Sequence, residues 1–466
     1  MSDSNKKILL SVRNMQVKFR VRGHILSAIR NVSLDIYKGE SIAIVGESGS
    51  GKSVFTKAFS GMLDSNGFID SGQLLFYDEE LSDTVVKNNK KTVEFIERRL
   101  NDFSGGSENE SVNKIIAREI YLSAAKYNFP KRCGIIRKLL GAFEDAYKVG
   151  NNPNNENIRR EIIENVTPIV KYAGENEKTL HGSCLTDLAQ FRTEKDWLRV
   201  RGSRIASVFQ DPMTSLNPII TIGKQITSII IKHQHCREEE ALSRALDLMR
   251  KVGITDPQSR FNDYPFQYSG GMRQRIVIAI ALSCQPEILI CDEPTTALDV
   301  TIQAQILRLI KDLQKEFGFA IVFITHDLGV AANIADRIAV MYAGQIIELG
   351  TTEDIFYDPR HPYTWALLSG LPQLSEKNTK LYSINGSPPS LYNEIKGDAF
   401  APRNPYCMKV DKIYEPPMFK VSDTHYARTW LLDKHAPKAE KPEAICDIHN
   451  KLIKEFNIRE QNKSGE

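Results

Sequence analysis

The sequence predicts an α/β fold, a mostly parallel sheet with helices on both faces. Three observations predict it. Short apolar runs rich in β-branched residues recur at Ser41-Ile42-Ala43-Ile44-Val45, Ile288-Leu289-Ile290-Cys291 and Ala320-Ile321-Val322-Phe323-Ile324. Runs without polar alternation suit strands buried on both faces. Helical spacing fills the intervals, as from Ile302 to Phe317, and strand–helix alternation is the pattern of a parallel sheet. The third observation is a loop, Gly46-Glu47-Ser48-Gly49-Ser50-Gly51-Lys52-Ser53, lying between the first run and a helical pattern of Val54, Phe55, Ala58, Phe59, Met62 and Leu63. It matches the phosphate-binding pattern G-x-x-x-x-G-K-[ST] at every fixed position.

The loop's chemistry follows from its residue types. Glycines let the backbone curl so that successive N–H groups face a phosphate, and the helix N-terminus adds its positive dipole end. Lys52 can reach a nucleotide's outer phosphates, and the Ser53 hydroxyl suits magnesium. A Gly/Ser-rich turn that happens to contain lysine is the plain alternative. Strand, loop and helix together argue against it.

Length and composition bound the rest. The chain has 466 residues, enough for roughly two to three domains. Its 41% apolar and 26% charged content is that of a soluble globular protein. The longest apolar run, Ile276-Val277-Ile278-Ala279-Ile280-Ala281-Leu282, falls far short of the roughly 20 residues of a membrane span. The start, Met1 to Lys7, leads into only a short apolar patch, so no signal peptide is expected. A net charge of +3 gives little support to nucleic acid as a partner. The seven cysteines include no C-x-x-C pair, which fits a reducing cytoplasm rather than a disulfide framework. Cys284 and Cys291, in apolar surroundings, read as small core residues.

Residues 8–82 read as strands followed by the phosphate loop and its helix. Residues 83–190 are polar and rich in Asn, Lys and Glu, with helical spacing in short segments such as Ile136, Leu139, Leu140 and Phe143. A small helical insertion and a partly disordered linker both stay open there. From about 195 to 350 strand and helix signals return. Residues 351–466, richer in proline, aromatics and loop signals, read as a separate, smaller domain.

Further motifs carry chemistry. Asp292 and Glu293 end the run that begins at Ile288. Adjacent acids at a strand end, downstream of a phosphate loop, suit magnesium binding by Asp292 and polarisation of an attacking water by Glu293. A solvated turn is the bland alternative. Tyr268-Ser269-Gly270-Gly271-Met272-Arg273-Gln274-Arg275 opens a helix before that strand. Here the chain resembles the ATP-binding-cassette (ABC) family, whose signature is L-S-G-G-Q. Ser269, Gly270 and Gly271 match it; Tyr268 and Met272 depart from it. Gln210, in Val208-Phe209-Gln210-Asp211-Pro212, resembles the family's Q-loop. Ala297-Leu298-Asp299 resembles the D-loop, and Thr325-His326-Asp327 the switch histidine. Phe19 resembles the aromatic that stacks on adenine, and a core role is an equal reading. Phe103-Ser104-Gly105-Gly106-Ser107 looks like a second signature, but it lacks the following Arg-Gln-Arg and precedes the Q-loop. It reads as a helix-breaking turn.

The resemblance implies a RecA-like core with antiparallel β and α-helical subdomains, binding ATP and Mg2+. The nucleotide-binding domain would span 8–350, interrupted by the 83–190 insertion, with 351–466 as a C-terminal extension. In the family the signature serine and glycine amides grip the γ-phosphate of a nucleotide held by the opposite subunit. By that resemblance, Glu293, His326 and Gln210 are the catalytic candidates. The nucleotide candidates are Phe19, the loop residues Gly46 to Ser53, Ser269, Gly270, Gly271 and Asp299. The metal candidates are Ser53, Gln210 and Asp292.

The resemblance narrows to ATP-binding subunits of oligopeptide and dipeptide permeases. It rests on Gln210-Asp211-Pro212-Met213-Thr214-Ser215-Leu216-Asn217-Pro218, Pro294-Thr295-Thr296-Ala297-Leu298-Asp299-Val300-Thr301, His361-Pro362-Tyr363-Thr364 and Gly386-Ser387-Pro388-Pro389. Met272 is the habit of the D-type (Ami E-like) subunits. The narrower resemblance implies an ATP-hydrolysing subunit of an oligopeptide importer, peripheral on the cytoplasmic face of the cell membrane. Its implied partners are a second, F-type ATPase subunit in a heterodimer, two transmembrane permease subunits and an extracellular substrate-binding protein, with no nucleic acid. Another substrate, such as nickel, stays open. A soluble ABC ATPase acting on ribosomes or DNA is the alternative. Ribosome-type members normally carry two cassettes per chain, and DNA-repair types a long coiled coil between Q-loop and signature; neither is present. Many relatives of this kind hold an iron–sulfur cluster on four cysteines in a C-P-F-x-x-R-C-P frame. Here Asp398, Asn404, Asp411 and Thr429 stand at or near those positions and Cys407 is off register, so no iron–sulfur cluster is expected.

Overall fold

A computed structural model describes residues 7–77, 86–87, 173–176, 179–181, 186–191, 194–198, 200–296, 298–371, 384–442 and 445. The chain divides into two compact units. One comprises residues 1–7, 13–72 and 200–466, the other 8–12 and 73–199. The described strands are β1 (Ile8–Val21), β2 (His24–Tyr37), β3 (Ser41–Val45), β4 (Gly67–Phe76), β5 (Val86–Lys87), β6 (Ala173–Asn176), β7 (Thr179–His181) and β8 (Thr186–Asp187). They continue with β9 (Ile205–Val208), β10 (Ile288–Asp292), β11 (Ala320–Thr325), β12 (Arg337–Tyr342), β13 (Gln345–Thr351), β14 (Phe419–Lys420) and β15 (Tyr426–Ala427).

The first unit is built on an eight-stranded sheet of order β14-β15-β13-β12-β3-β11-β10-β9. From β12 to β9 the neighbours run parallel, as the unbroken apolar runs require. Every residue of β3, β11 and β12 is buried. The helix Val300–Phe317 buries Ile306, Ile310 and Leu313, one stripe at helical period. The helix after the phosphate loop, Lys52–Ser60, buries Phe55 and Phe59. It is shorter than its apolar spacing suggests. Gly61 takes φ 68° and its N–H returns to the Lys57 carbonyl, a left-handed cap that leaves Met62 and Leu63 outside. Cys291 is fully buried, as suits a core residue, and Cys284 is half-buried; burial pushes both thiols up.

The C-terminal extension is joined to this core rather than set apart. β15 pairs with the outer edge of β13, and β14 with β15, which covers an edge that would otherwise be open. The wholly buried Glu348 of β13 accepts N–H bonds from Arg360 and His361 and lies 2.8 Å from His425 Nε2. Those partners offset the cost of a buried carboxylate. Phe400 packs against Tyr342 and Tyr363 at ring distances of 5.3 and 5.4 Å.

Asp398, Asn404, Asp411 and Thr429 are all buried. Each accepts a nearby backbone N–H: from Phe400 at 3.0 Å, Tyr406 at 2.9 Å, Met408 at 2.6 Å and Leu431 at 3.3 Å respectively. Side chains of this set shape turns locally and supply no thiolate. Protein purified anaerobically is therefore expected to be colourless, with no stoichiometric iron by elemental analysis. Brown protein with about four irons per chain would overturn this.

In the second unit, β7 lies between β5 and β6, antiparallel to both. β8 pairs antiparallel with Leu75 and Phe76 of β4. Asp187 accepts the N–H groups of Leu74 and Ala189. The helical segments expected between 93 and 169, and the Phe103-Ser104-Gly105-Gly106-Ser107 turn, lie outside the described residues.

Candidate active site

The C-terminal ends of adjacent parallel strands build the site, the usual ligand edge of such sheets. β3 delivers the phosphate loop. β11 lies beside it, pairing Thr325 with Val45, and β10 comes next, pairing Asp292 with Ile324. That order brings Ser53, Asp292, Glu293 and His326 to one edge. Gly51 adopts φ 100°, a conformation open to glycine at little cost. A Cβ on Gly46 would stand 2.2 Å from the Met341 carbonyl oxygen, so the loop runs tight against β12.

Lys52 is buried and donates to the Gly46 and Glu47 carbonyls at 2.7 and 2.9 Å. Burial holds its ammonium below the ordinary lysine range, against the opposing pull of Glu293, Asp292 and Glu47. Both hydrogen-bond partners are neutral, so a phosphate oxygen would be its first anionic partner at contact distance. Ser53 Oγ donates to Asp292 Oδ1 at 3.0 Å. Burial raises the Asp292 carboxyl, although that hydrogen bond opposes the shift. Among the described residues no cluster of three His, Cys, Asp or Glu side chains could hold a metal alone. The hydroxyl–carboxylate pair fits magnesium that takes its other ligands from phosphate and water.

Glu293 comes directly after β10 with φ 46°, a strained value for a side-chain-bearing residue. Side chains from separate loops hold its carboxylate. Oε2 accepts from Thr296 Oγ1 at 3.0 Å and Gln210 Nε2 at 3.3 Å, and Oε1 lies 3.2 Å from His326 Nδ1. The three catalytic candidates thus meet at one carboxylate. Gln210 donates to Glu293 in this arrangement.

The signature residues form a separate group. Ser269 caps the helix Gly270–Leu282 by accepting the Met272 N–H. Asp299 caps Val300–Phe317 by accepting from Ile302 N at 3.0 Å. A Cβ on Gly271 would stand 2.9 Å from Ile302 Cγ2, so glycine lets the two helix starts abut. Ser269, Gly270 and Asp299 face solvent. Tyr268 buries its ring and donates its hydroxyl to the Arg260 carbonyl at 2.8 Å, with burial pushing that hydroxyl up to about 12. That bond absorbs the departure from the family's leucine. Ala297 lies outside the described residues.

Phe19 carries two equal readings, base stacking and a core role. The residue is 9% exposed, and its ring lies so close to Gly67 that a Cβ there would meet Cε1 at 2.6 Å. That packing favours the core reading over stacking on a base.

Sequence reasoning missed three residues at the site. Thr296 could have been found, because it falls within one turn of Glu293. Tyr363 and Arg403 could not. The Tyr363 hydroxyl accepts the Glu47 N–H at 2.9 Å, and Arg403 donates to the Glu47 carboxylate at 2.8 and 3.1 Å. Both belong to the C-terminal extension.

The model of the ABC transporter family matches residues 29–165 and 169–296. The model of the oligopeptide/dipeptide transporter C-terminal region matches 347–410. The oligopeptide transport ATP-binding protein AmiE of Streptococcus pneumoniae is 46% identical over 447 residues, 96% of each chain. The oligopeptide transport ATP-binding protein OppD of Bacillus subtilis is 42% identical over 450 residues, again 96% of each. The dipeptide transport ATP-binding protein DppD of Lactococcus lactis is 41% identical over 438 residues, 94% of this chain and 95% of that one. With a phosphate loop, a clamped acid after β10 and a capped signature helix in one unit, the chain belongs to the ABC transporter family of ATPases.

Proposed function

We propose that this chain hydrolyses ATP to drive import of oligopeptides, as the D-type subunit of an importer. The observation that carries the ATPase chemistry is the clamp on Glu293 beside the phosphate loop. The peptide substrate is supported by the names of the relatives and by the match of residues 347–410 to a peptide-transporter region. Lys52 and the amides of residues 46–53 neutralise phosphate charge. Ser53 and Asp292 would hold magnesium, which when bound offsets charge on the outer phosphates. Glu293 accepts the proton of the attacking water. Gln210 and Thr296 orient one carboxylate oxygen, and His326 stands at the other, placed to sense the γ-phosphate.

Ser269, Gly270 and Asp299 face solvent, which suits a partner cassette completing the nucleotide site. The partners proposed are an F-type ATPase subunit, two transmembrane permease subunits and an extracellular substrate-binding protein. No described helix is long and apolar enough to cross a membrane, so attachment to the cytoplasmic face would run through the permeases. The test is the complex reconstituted in vesicles. ATP-dependent uptake of a labelled oligopeptide is expected; uptake of nickel without peptide would select the other substrate.

The domain plan, 8–350 interrupted by 83–190 and continued by 351–466, is part of the same reading. No candidate site residue lies between 86 and 180. Replacing that stretch with a short flexible linker is expected to leave ATP binding within about twofold of the full chain. Loss of binding in a soluble, folded deletion variant would place the segment in the core.

A further inference from the structure

We propose that Arg403 is a positioning residue of the phosphate loop, cancelling the charge of Glu47 so that the loop accepts a triphosphate. The proposal rests on the nucleotide-binding reading above and extends it to the C-terminal extension. Glu47 is the second residue of the loop, so its carboxylate sits within an anion-binding turn. A negative charge there opposes a polyphosphate unless it is paired. Arg403 supplies the pair in fork geometry, 2.8 Å from one oxygen and 3.1 Å from the other. Its side chain is only 5% exposed, against 28% for Glu47, so the pair is shielded from solvent on its arginine side.

The arginine is itself held. Nε donates to the Asn385 carbonyl at 3.1 Å, and a terminal nitrogen donates to the Tyr342 hydroxyl at 3.3 Å. The short helix that ends at Arg403 is set by Asp398 and Asn404, which accept the Phe400 and Tyr406 N–H groups. A second contact from the extension is independent of charge: Tyr363 Oη accepts the Glu47 N–H. The extension therefore touches the loop at both backbone and side chain, across 356 residues of sequence in the case of Arg403.

The test uses the full chain and its MgATP affinity, read by displacement of a fluorescent ATP analogue, together with KM and kcat of the assembled ATPase. Arg403→Met is expected to weaken MgATP binding and raise KM about tenfold, with kcat at saturation within about twofold. That scale suits one unpaired charge near the phosphates at an effective dielectric of about 20. The double variant Glu47→Gln/Arg403→Met is expected to return affinity to within about threefold of the unaltered chain, because the charge that needed cancelling is gone. Arg403→Lys keeps the charge but loses the fork, and is expected to weaken binding about threefold. It serves as the test should Arg403→Met not fold. Unchanged affinity in a folded single variant would overturn the proposal. So would a double variant as weak as Arg403→Met, which would make Arg403 a support of the fold alone. Failure of the unaltered chain to bind MgATP would overturn the nucleotide reading itself, and this inference with it.

Discussion

Replacing Glu293 by glutamine is expected to slow ATP hydrolysis by roughly 100-fold or more, the scale of a lost general base, while nucleotide binding survives. The geometry gives the reason. Both Glu293 oxygens are engaged, with Thr296 and Gln210 on one and His326 on the other. Glutamine has the same shape, so the strained turn and its partners can persist, but an amide does not accept a proton from water at neutral pH. The variant should therefore hold ATP unhydrolysed and keep the cassettes closed on it. Turnover measured with the partner subunits decides the matter. A near-normal rate would remove Glu293 from the mechanism and leave the clamp as architecture.

Replacing Lys52 by alanine is expected to weaken MgATP binding by about 100-fold or more, and hydrolysis with it. Truncating one partner of a buried, hydrogen-bonded charge pair costs roughly 2–5 kcal/mol, and each factor of ten is about 1.4 kcal/mol. With a phosphate bound, Lys52 would meet the condition. It is 6% exposed, its ammonium is held below the usual range by burial, and its hydrogen bonds end on carbonyls that a phosphate can supplant. Titration of the folded variant with MgATP measures the loss. Affinity within a few-fold of the unaltered chain would show that the loop amides hold the phosphates without it.

The two predictions differ in what made them legible. Lys52 belongs to a contiguous pattern in which residue types and spacing state the chemistry. Glu293 is one of two adjacent acids, and only its position after a buried strand separates it from a solvated turn. Of its three partners, Thr296 lies in its own loop, while Gln210 and His326 come from other loops. Gln210 and His326 are recognisable as motif members, yet their meeting at one carboxylate depends on β9, β10 and β11 lying side by side. Phe19 has two equal readings, base stacking and core. Its likeness to a base-stacking aromatic gave one reading, and close packing against Gly67 favours a core role instead.

The sequence by itself determined the elements and the local chemistry: the parallel strands, the phosphate loop, the paired acids, the capped signature helix and the missing thiolate frame. Each is written within a few residues, where backbone geometry and side-chain type act on near neighbours. Only the tertiary structure decided that the C-terminal extension continues the central sheet through β13, and that Arg403 and Tyr363 reach Glu47. The contacts with Glu47 join residues hundreds of positions apart. Nothing in the local pattern marks these contacts with Glu47, because their energy arises only when strand order has brought the segments together and shut out water.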